Sequence, residues 1–516
     1  MPLYQLGQLN TTALSVPGLY VQIVPPKNRY INGVPSNILG IVGVGSWGPV
    51  NSPILAGDLP SAIEAVGNPT NRSHDIATAV AVSVLQGANN FRLVRVSDGT
   101  DVAAQIALLD TATPTPATGA ALTAMYTGTL GNSITAAITT GAKTGTYNLS
   151  IQQTGIASVP EVFTNISGSG ATFWANLVDA VNNGQGVLRG PSQLVKATIG
   201  AGVATPNTTT TYTLSGGTDG TTTITDNVLI GTDGLTRTGM YALRSSGAQV
   251  GNLVDVSTPT VWSTMLSFGL EEGIYFHTAS AAGKNPTSSV ADMTTAACDG
   301  YGLKAMVGDW VYWQDNFNNT LRLLSPATFT AAQSAGLSPY LSNLNQELFG
   351  IVATQRSMAN SPYSDAEISL VSQNRMDVIT TPVPGGAYFA CRTGQNASSD
   401  PSRNGDNYTR MTNYIGLTIA AAYGYVIGKP QTPDLRRQVK SSLESFLQAM
   451  QDQGMIGDVN NPGKPGYSVT LDSSNNPSAR VALGYMQADI QVIYLSIVRY
   501  FIANLEGGQT VTVNTK

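Results

Sequence analysis

The chain has 516 residues, too many for one ordinary core, and a hydrophobic fraction of 42% that can fill several. Only 11% of its residues are charged, against roughly 25% in an ordinary soluble chain, and Thr, Ser, Asn, Gly and Ala take up the difference. With 26 basic and 31 acidic residues the net charge is -5, and no basic arm or patch points to nucleic acid as the main partner.

A weakly charged, Thr/Gly-rich surface repels itself little, so it suits a protein covered by copies of itself; secreted β-rich adhesins share the composition. Residues 1–24 hold two short extended patterns, broken by Pro17 and Gly18 and stopped by Pro25 and Pro26, and read as an N-terminal arm. MPLYQLGQLN has neither a basic nor an apolar signal region, so the product is expected to stay in the producing cytoplasm.

Residues 25–101 read as an α/β core segment. Asn37 to Val44 is a continuous apolar run of buried-strand type, Ser61 to Val66 and Ile76 to Leu85 have helical patterns, and Phe91 to Val96 returns as a strand. From 102 to 221 the composition shifts. Between Val102 and Thr218 only Asp110, Lys143, Glu161, Asp179, Arg189 and Lys196 are charged, and alternation over Ser133 to Thr139 and Thr146 to Gln152 predicts a β-rich insertion closed by the turn Gly216 to Gly220.

Residues 222–400 read as a middle α/β domain, with patterns alternating through Val261 to Phe268, Ile274 to Thr278 and Met293 to Tyr301. Ser364 and Glu367 form a capping box for a helix through Asn374, followed by an apolar strand from Asp377 to Thr381. Residues 401–506 form a C-terminal domain. Its clearest helix runs from Pro433 to Gln453, with Thr432 as N-cap, Gly454 as stop and Leu435, Val439, Leu443, Phe446, Leu447 and Met450 on one face. Tyr467 to Leu471 and Val481 to Leu505 carry β patterns, and 507–516 reads as a glycine joint plus a short strand. Ile415 to Gly428 and Ile490 to Leu505 are too short or too interrupted to span a bilayer, so no membrane insertion is expected.

Chemistry-bearing patterns are sparse. Gly43, Gly45 and Gly48 match GxGxxG after a strand, but Pro49 and Pro53 stand where the phosphate-binding helix should begin, so a turn-forming loop is the better reading. Histidine chemistry would have to use His74 or His277, and neither sits in a motif; there is no GxSxG and no HExxH. The acidic clusters Asp98 to Asp101 and Asp219 to Asp233 lack calcium-loop spacing and read as turns. Cys298 and Cys391 lie far apart without CxxC spacing, as isolated thiols. No catalytic residue, metal site or cofactor is expected.

A resemblance then covers nearly the whole chain. PGLYVQIVPP (17–26), NILGIVGVGSWGPVNSPI (37–54), YTGTLGNSI (126–134), TYNLSI (146–151), EVFTNIS (161–167), LSGGTDG (214–220), Arg392 and Thr393 in ACRTG, Arg410 in NYTRMTNYI, and DLRRQVKSSLESFLQAMQDQGMIGD (434–458) resemble, in order, segments of the contractile tail sheath proteins of phages and related injection machines. The wording is weak over 240–345. The resemblance implies a mixed α+β, multidomain fold whose tube-side core comes from both chain ends, with the insertion facing outward and extended terminal arms.

It implies a virion tail sheath subunit, assembled in the host cytoplasm. Its partners would be further copies in a helical homo-oligomer, the tail tube, the baseplate and the tail terminator, with no direct nucleic-acid contact. Contraction driven by alternative subunit packings needs no active site. Under this reading the helix Pro433 to Gln453 faces the tube with Arg436, Arg437 and Lys440, cations that crowd its first two turns against the helix dipole. The arms exchange strands with neighbouring subunits through Tyr20, Val21 and Ile23 at one end and Thr510, Val511, Thr512 and Val513 at the other. The rival classes are a β-rich tail adhesin, for which no 20–50-residue repeat is found, and a tail-associated hydrolase.

Overall fold

A computed structural model of the chain describes residues 3–5, 21–23, 31–155 and 159–505. Its contacts divide into two units: a larger one holding Pro35–Asn413 with the segment from Ile497 onward, and a smaller one made of the N-terminal part up to Val34 together with Tyr414–Ser496.

The larger unit is organised by a seven-stranded sheet in the order Met376–Asp377, Leu303–Met306, Tyr275–Ala279, Val250–Leu253, Leu39–Gly43, Phe91–Arg95 and Ile54–Ala56. The first six strands are parallel and the last is antiparallel. Parallel strands need crossovers that cover both faces, which is why the apolar run at 37–44 has no polar alternation. Leu39 and Ile41 pack with Phe91, Leu93 and Val80 on one face, whereas Val42 and Val44 join Val94, Trp262 and Phe276 on the other. Helices Leu59–Val66, Ile76–Leu85, Trp262–Glu272, Pro286–Ala296 and Pro326–Gly336 supply the crossovers and flanks. Ile76–Leu85 packs on Pro326–Gly336, and both are buried nearly all round, so neither shows a polar stripe.

The glycine loop is a packing device. Gly48 has φ +89°, and a Cβ there would stand 2.4 Å from the Ala65 carbonyl oxygen, so only glycine lets the loop lie on the end of helix Leu59–Val66. That helix starts well after the loop and is capped by Asp58, with Pro60 in its first turn.

The insertion folds around a separate cluster. It has a sheet of Gln105–Leu109, Thr118–Ala124 and Val195–Ile199 and another of Ile134–Thr140, Tyr147–Gln153, Glu161–Ile166 and Thr211–Thr213. Helix Ala171–Asn183 covers them with Phe173, Trp174, Leu177 and Val181. Trp174 lies on Gly119, where any Cβ would come within 2.1 Å of the indole. Trp47, from the glycine loop, completes this cluster. The buried Arg95 reaches across to the Gly48, Thr127 and Asp219 carbonyls, and Arg72 pairs with Asp219 at 2.7 Å, so the insertion is tied to the sheet by polar bonds as well as by its two chain ends.

In the smaller unit, helix Pro433–Asp452 is capped by Thr432, whose hydroxyl accepts from the Leu435 amide. Its apolar face, Leu435, Val439, Leu443, Phe446, Leu447 and Met450, is buried as the periodicity predicts. Tyr414 packs on Phe446, and the Tyr423 hydroxyl bonds to Ser442 and the Val439 carbonyl. A two-stranded antiparallel sheet, Tyr467–Thr470 with Asp489–Val492, lies on the same helix, with the Tyr467 hydroxyl on Gln448. Leu3–Gln5 and Val21–Ile23 pair with each other in parallel.

Two expectations fail locally. Val481 to Leu505 is not one strand pattern: Ser478–Ala482 is a short helix, only Asp489–Val492 pairs as a strand, and 493–505 has no regular element. Alternation supplies two faces but no partner, and the hairpin uses only the stretch opposite Tyr467–Thr470. The strand expected at Asp377 to Thr381 is divided between Met376–Asp377 in the large sheet and Ile379–Thr380 paired with Ala390–Cys391, because the Asp377 carboxylate accepts the Val378 amide and turns the chain there.

Candidate functional site

Three places concentrate the groups singled out above. The first is the N-terminal half of helix Pro433–Asp452. Arg437 is exposed and ion-paired with Asp434, and Lys440 stands 3.9 Å from Glu444. Arg436 is half-buried. Two of the three cations thus have a carboxylate on their own helix, and Asp434 in the first turn offsets part of their opposition to the dipole.

The second is the hairpin Tyr467–Thr470/Asp489–Val492. No third strand pairs with it among the described residues, so each strand keeps an outer edge. Of the residues expected to exchange strands, Val21 and Ile23 lie in the short parallel pair with Leu3–Gln5. Tyr20, Thr510, Val511, Thr512 and Val513 lie outside the described residues.

The third was not foreseen as a unit. Lys304, in a buried strand, places Nζ 2.7 Å from Asp377 Oδ2 and 2.9 Å from Asp406 Oδ2, with all three side chains fully buried. Burial alone would push the ammonium down, but the two carboxylates outweigh it and hold its pKa above the ordinary lysine value. Asp377 also accepts the amides of Val378, Arg392, Thr393 and Gly394 at 2.8 to 3.1 Å, which fixes the ACRTG turn. Asp406, at the start of helix Asp406–Tyr423, accepts from the Tyr275 hydroxyl at 2.5 Å and from Ser342 at 3.3 Å. One turn on, the buried Arg410 donates to the Leu337 carbonyl at 2.7 Å and to the Ser36 carbonyl at 2.9 Å; burial lowers its pKa to about 10. Thr393 and Arg410 carry the resemblance read in the sequence. Their partners Lys304, Asp377, Asp406 and Tyr275 had no local signal beyond one Lys inside an apolar strand.

This arrangement holds charge without exposing a reactive group. Lys304 is kept protonated, so it is no nucleophile. Burial, then the Asp377 charge, pushes the Cys391 thiol well up. Burial and the neighbouring Lys304 and Arg410 charges push His277 well down; its Nδ1 lies 2.9 Å from Thr330, with no water-accessible side. His74 lies elsewhere, half-buried, with Nδ1 2.7 Å from the Val254 carbonyl. No group of three or more His, Cys, Asp or Glu stands where it could hold a metal ion, and no helix is long and apolar enough to cross a membrane, both among the described residues. What the cluster does is pin two stretches of chain, Ser36 just after the larger unit begins and Asp406–Arg410 just before it ends.

The class these features define is a multidomain α+β fold whose smaller unit is assembled from widely separated parts of the chain. Solved structures that share this fold include tail sheath proteins. The sheath tail protein of Desulfitobacterium hafniense is 15% identical, matching 89% of this chain and 94% of its own, with a TM-score of 0.53. The sheath tail protein Lin1278 of Listeria innocua is also 15% identical, over 87% and 90%, at 0.58. The sheath of the PVC extracellular contractile injection system, solved in its contracted state, is 9% identical over 97% and 99%, at 0.55. No protein-family model matches the sequence, and no curated protein matches it. At such identities the likeness defines the fold.

Proposed function

We propose that the chain is the structural subunit of a contractile tail sheath, which polymerises helically around a tail tube and contracts to drive it through a target cell envelope during genome delivery. The observation that carries this is the match in fold over nearly the full length of both this chain and sheath chains. The low charge suits a surface covered by copies of itself. The stroke draws on alternative packings of preformed units, so the subunit is not an enzyme and needs no cofactor. Its partners are further copies, the tail tube, the baseplate and the tail terminator, and it resides in the virion tail after assembly in the host cytoplasm.

Within this reading the hairpin Tyr467–Thr470/Asp489–Val492 is the receiving sheet. A short strand has unpaired amides on both edges and gains from being added to an existing one; 507–516, with Thr510 to Val513, is the donor at one end and the arm bearing Tyr20, Val21 and Ile23 the donor at the other. Arg436, Arg437 and Lys440 face the tube. Purified protein mixed with tail tubes and imaged by electron microscopy should give striated, decorated tubes; dispersed monomers that never coat the tube would refute the assignment.

A further inference from the structure

Of the described lysines only Lys304 is buried. Its strand, Leu303–Met306, pairs with Met376–Asp377, the shortest strand of the large sheet and one of its two edges. Met306 lies beside Asp377, so Lys304, two residues earlier on the same face, meets that carboxylate on the diagonal. The two oxygens of Asp377 are held differently. Oδ1 accepts the amides of Val378, Arg392 and Thr393 at 2.8, 3.1 and 2.8 Å, whereas Oδ2 accepts the Gly394 amide at 3.0 Å and faces Lys304 Nζ at 2.7 Å. Amides converging on one oxygen stabilise the charge it gains when its carbon is attacked. A second carboxylate touches the same nitrogen: Asp406 Oδ1 and Oδ2 lie 3.1 and 2.9 Å from Nζ. The Tyr275 and Ser342 hydroxyls fix its orientation. It is placed to take a proton from that nitrogen and hand it on.

We propose that Lys304 and Asp377 condense into an internal amide, Nζ bonded to Asp377 Cγ, with Asp406 as the proton relay. Lys304 does not react while it carries its proton. The contact between Nζ and Asp377 Oδ2 is the route by which that proton passes to the carboxylate, leaving a neutral amine beside a neutral acid. The nitrogen lone pair then attacks Cγ, and the charge gathers on Oδ1 among its three amides. Asp406 takes a proton from the new ammonium and returns it to Oδ2, which leaves as water. One C–N bond forms and one C–O bond breaks, nothing is oxidised or reduced, and Asp406 ends as it began. Fixed neighbours need no encounter, so a reaction made once per molecule has only to be slow. The ion pair sets three charges in the core and the amide leaves one, which relieves part of the cost of keeping them from water. The product staples the two-residue edge strand to its neighbour, so that strand cannot peel from the sheet under load.

The proposal is independent of the sheath assignment. Mass spectrometry of the denatured full chain tests it: the wild type should weigh roughly 18 Da less than its sequence, the loss of one water. After trypsin, 285–322 should remain uncut at Lys304 and travel joined to 376–392. Lys304→Arg, which keeps the cation but not the amine, should show the full mass, and a folded Asp406→Asn should lose the link. The wild-type digest decides the matter if neither variant folds. Cleavage at Lys304 with the full mass, or a link from Lys304 to Asp406 in place of Asp377, would overturn the proposal, and complete linkage in folded Asp406→Asn would overturn the relay.

Discussion

Lys304 shows how much a single residue can hold in this fold. Two carboxylates, the Tyr275 hydroxyl and the ACRTG amides converge on it and its partners, and the side chains of Lys304, Asp377 and Asp406 are fully buried. Removing one member of a buried ion pair leaves the other uncompensated, so Lys304→Met should destabilise the larger unit by about 3–5 kcal/mol in urea unfolding. Adding Asp377→Asn and Asp406→Asn to it should recover part of that loss, because the uncompensated charges go with the cation. Arg410→Gln should cost about 1–3 kcal/mol for each carbonyl it leaves unbonded, at Leu337 and Ser36. Sequence reading singled out Arg410 and Thr393 but not this cluster: Lys304 sits far along the chain from Asp377 and Asp406, and only the parallel pairing of Leu303–Met306 with Met376–Asp377 brings two of them together.

Elements with local punctuation were legible. Helix Asp365–Gln373 has its capping box, and Glu367 also pairs with Arg356 at 2.8 Å. The Arg356 bond, then the Ser364 amide, lowers the Glu367 pKa from 4.5 to about 2. A carboxylate with a depressed folded pKa stabilises above its unfolded value and loses that contribution as pH falls through the folded one. Wild-type protein should therefore lose stability between pH 4.5 and about 2 through this group, and Glu367→Gln should flatten that part of the acid-unfolding curve. The group is partly exposed, so the effect is under about 1 kcal/mol. Two helices were missed for different reasons. Helix Pro326–Gly336 has local signals, Ser325 as N-cap and Pro326 in its first turn, but it is buried on every side and shows no stripe, whereas Ala171–Asn183 lacks a side-chain cap and hides in Thr/Gly-rich sequence. At helix Pro433–Asp452, replacing Arg436, Arg437 and Lys440 with Gln should weaken tube decoration most at low salt, where exposed charges act furthest. Equal decoration by wild type and variant at every salt would remove the helix from the tube interface.

For the whole molecule, removing 507–516 should leave a folded, soluble chain that no longer forms tubes, read by circular dichroism and electron microscopy together; normal tubes would end the strand-exchange proposal. Excising 102–221 is a harsher test than composition suggests. Trp47, Arg72 and Arg95 all lose partners with it, so a soluble deletion needs polar or smaller residues at those positions before its tube assembly can be judged. The division of the chain has a further consequence, in time instead of space. The segment Pro35–Asn413 is continuous, and a chain emerges from synthesis N-terminal end first, so most of the larger unit can close on itself while the rest, its own last segment from Ile497 included, is still being made. The smaller unit joins residues up to Val34 to Tyr414–Ser496, so its early part stays unfinished until the stretch from Tyr414 has been made. A half-made copy therefore has no finished small unit to offer its neighbours.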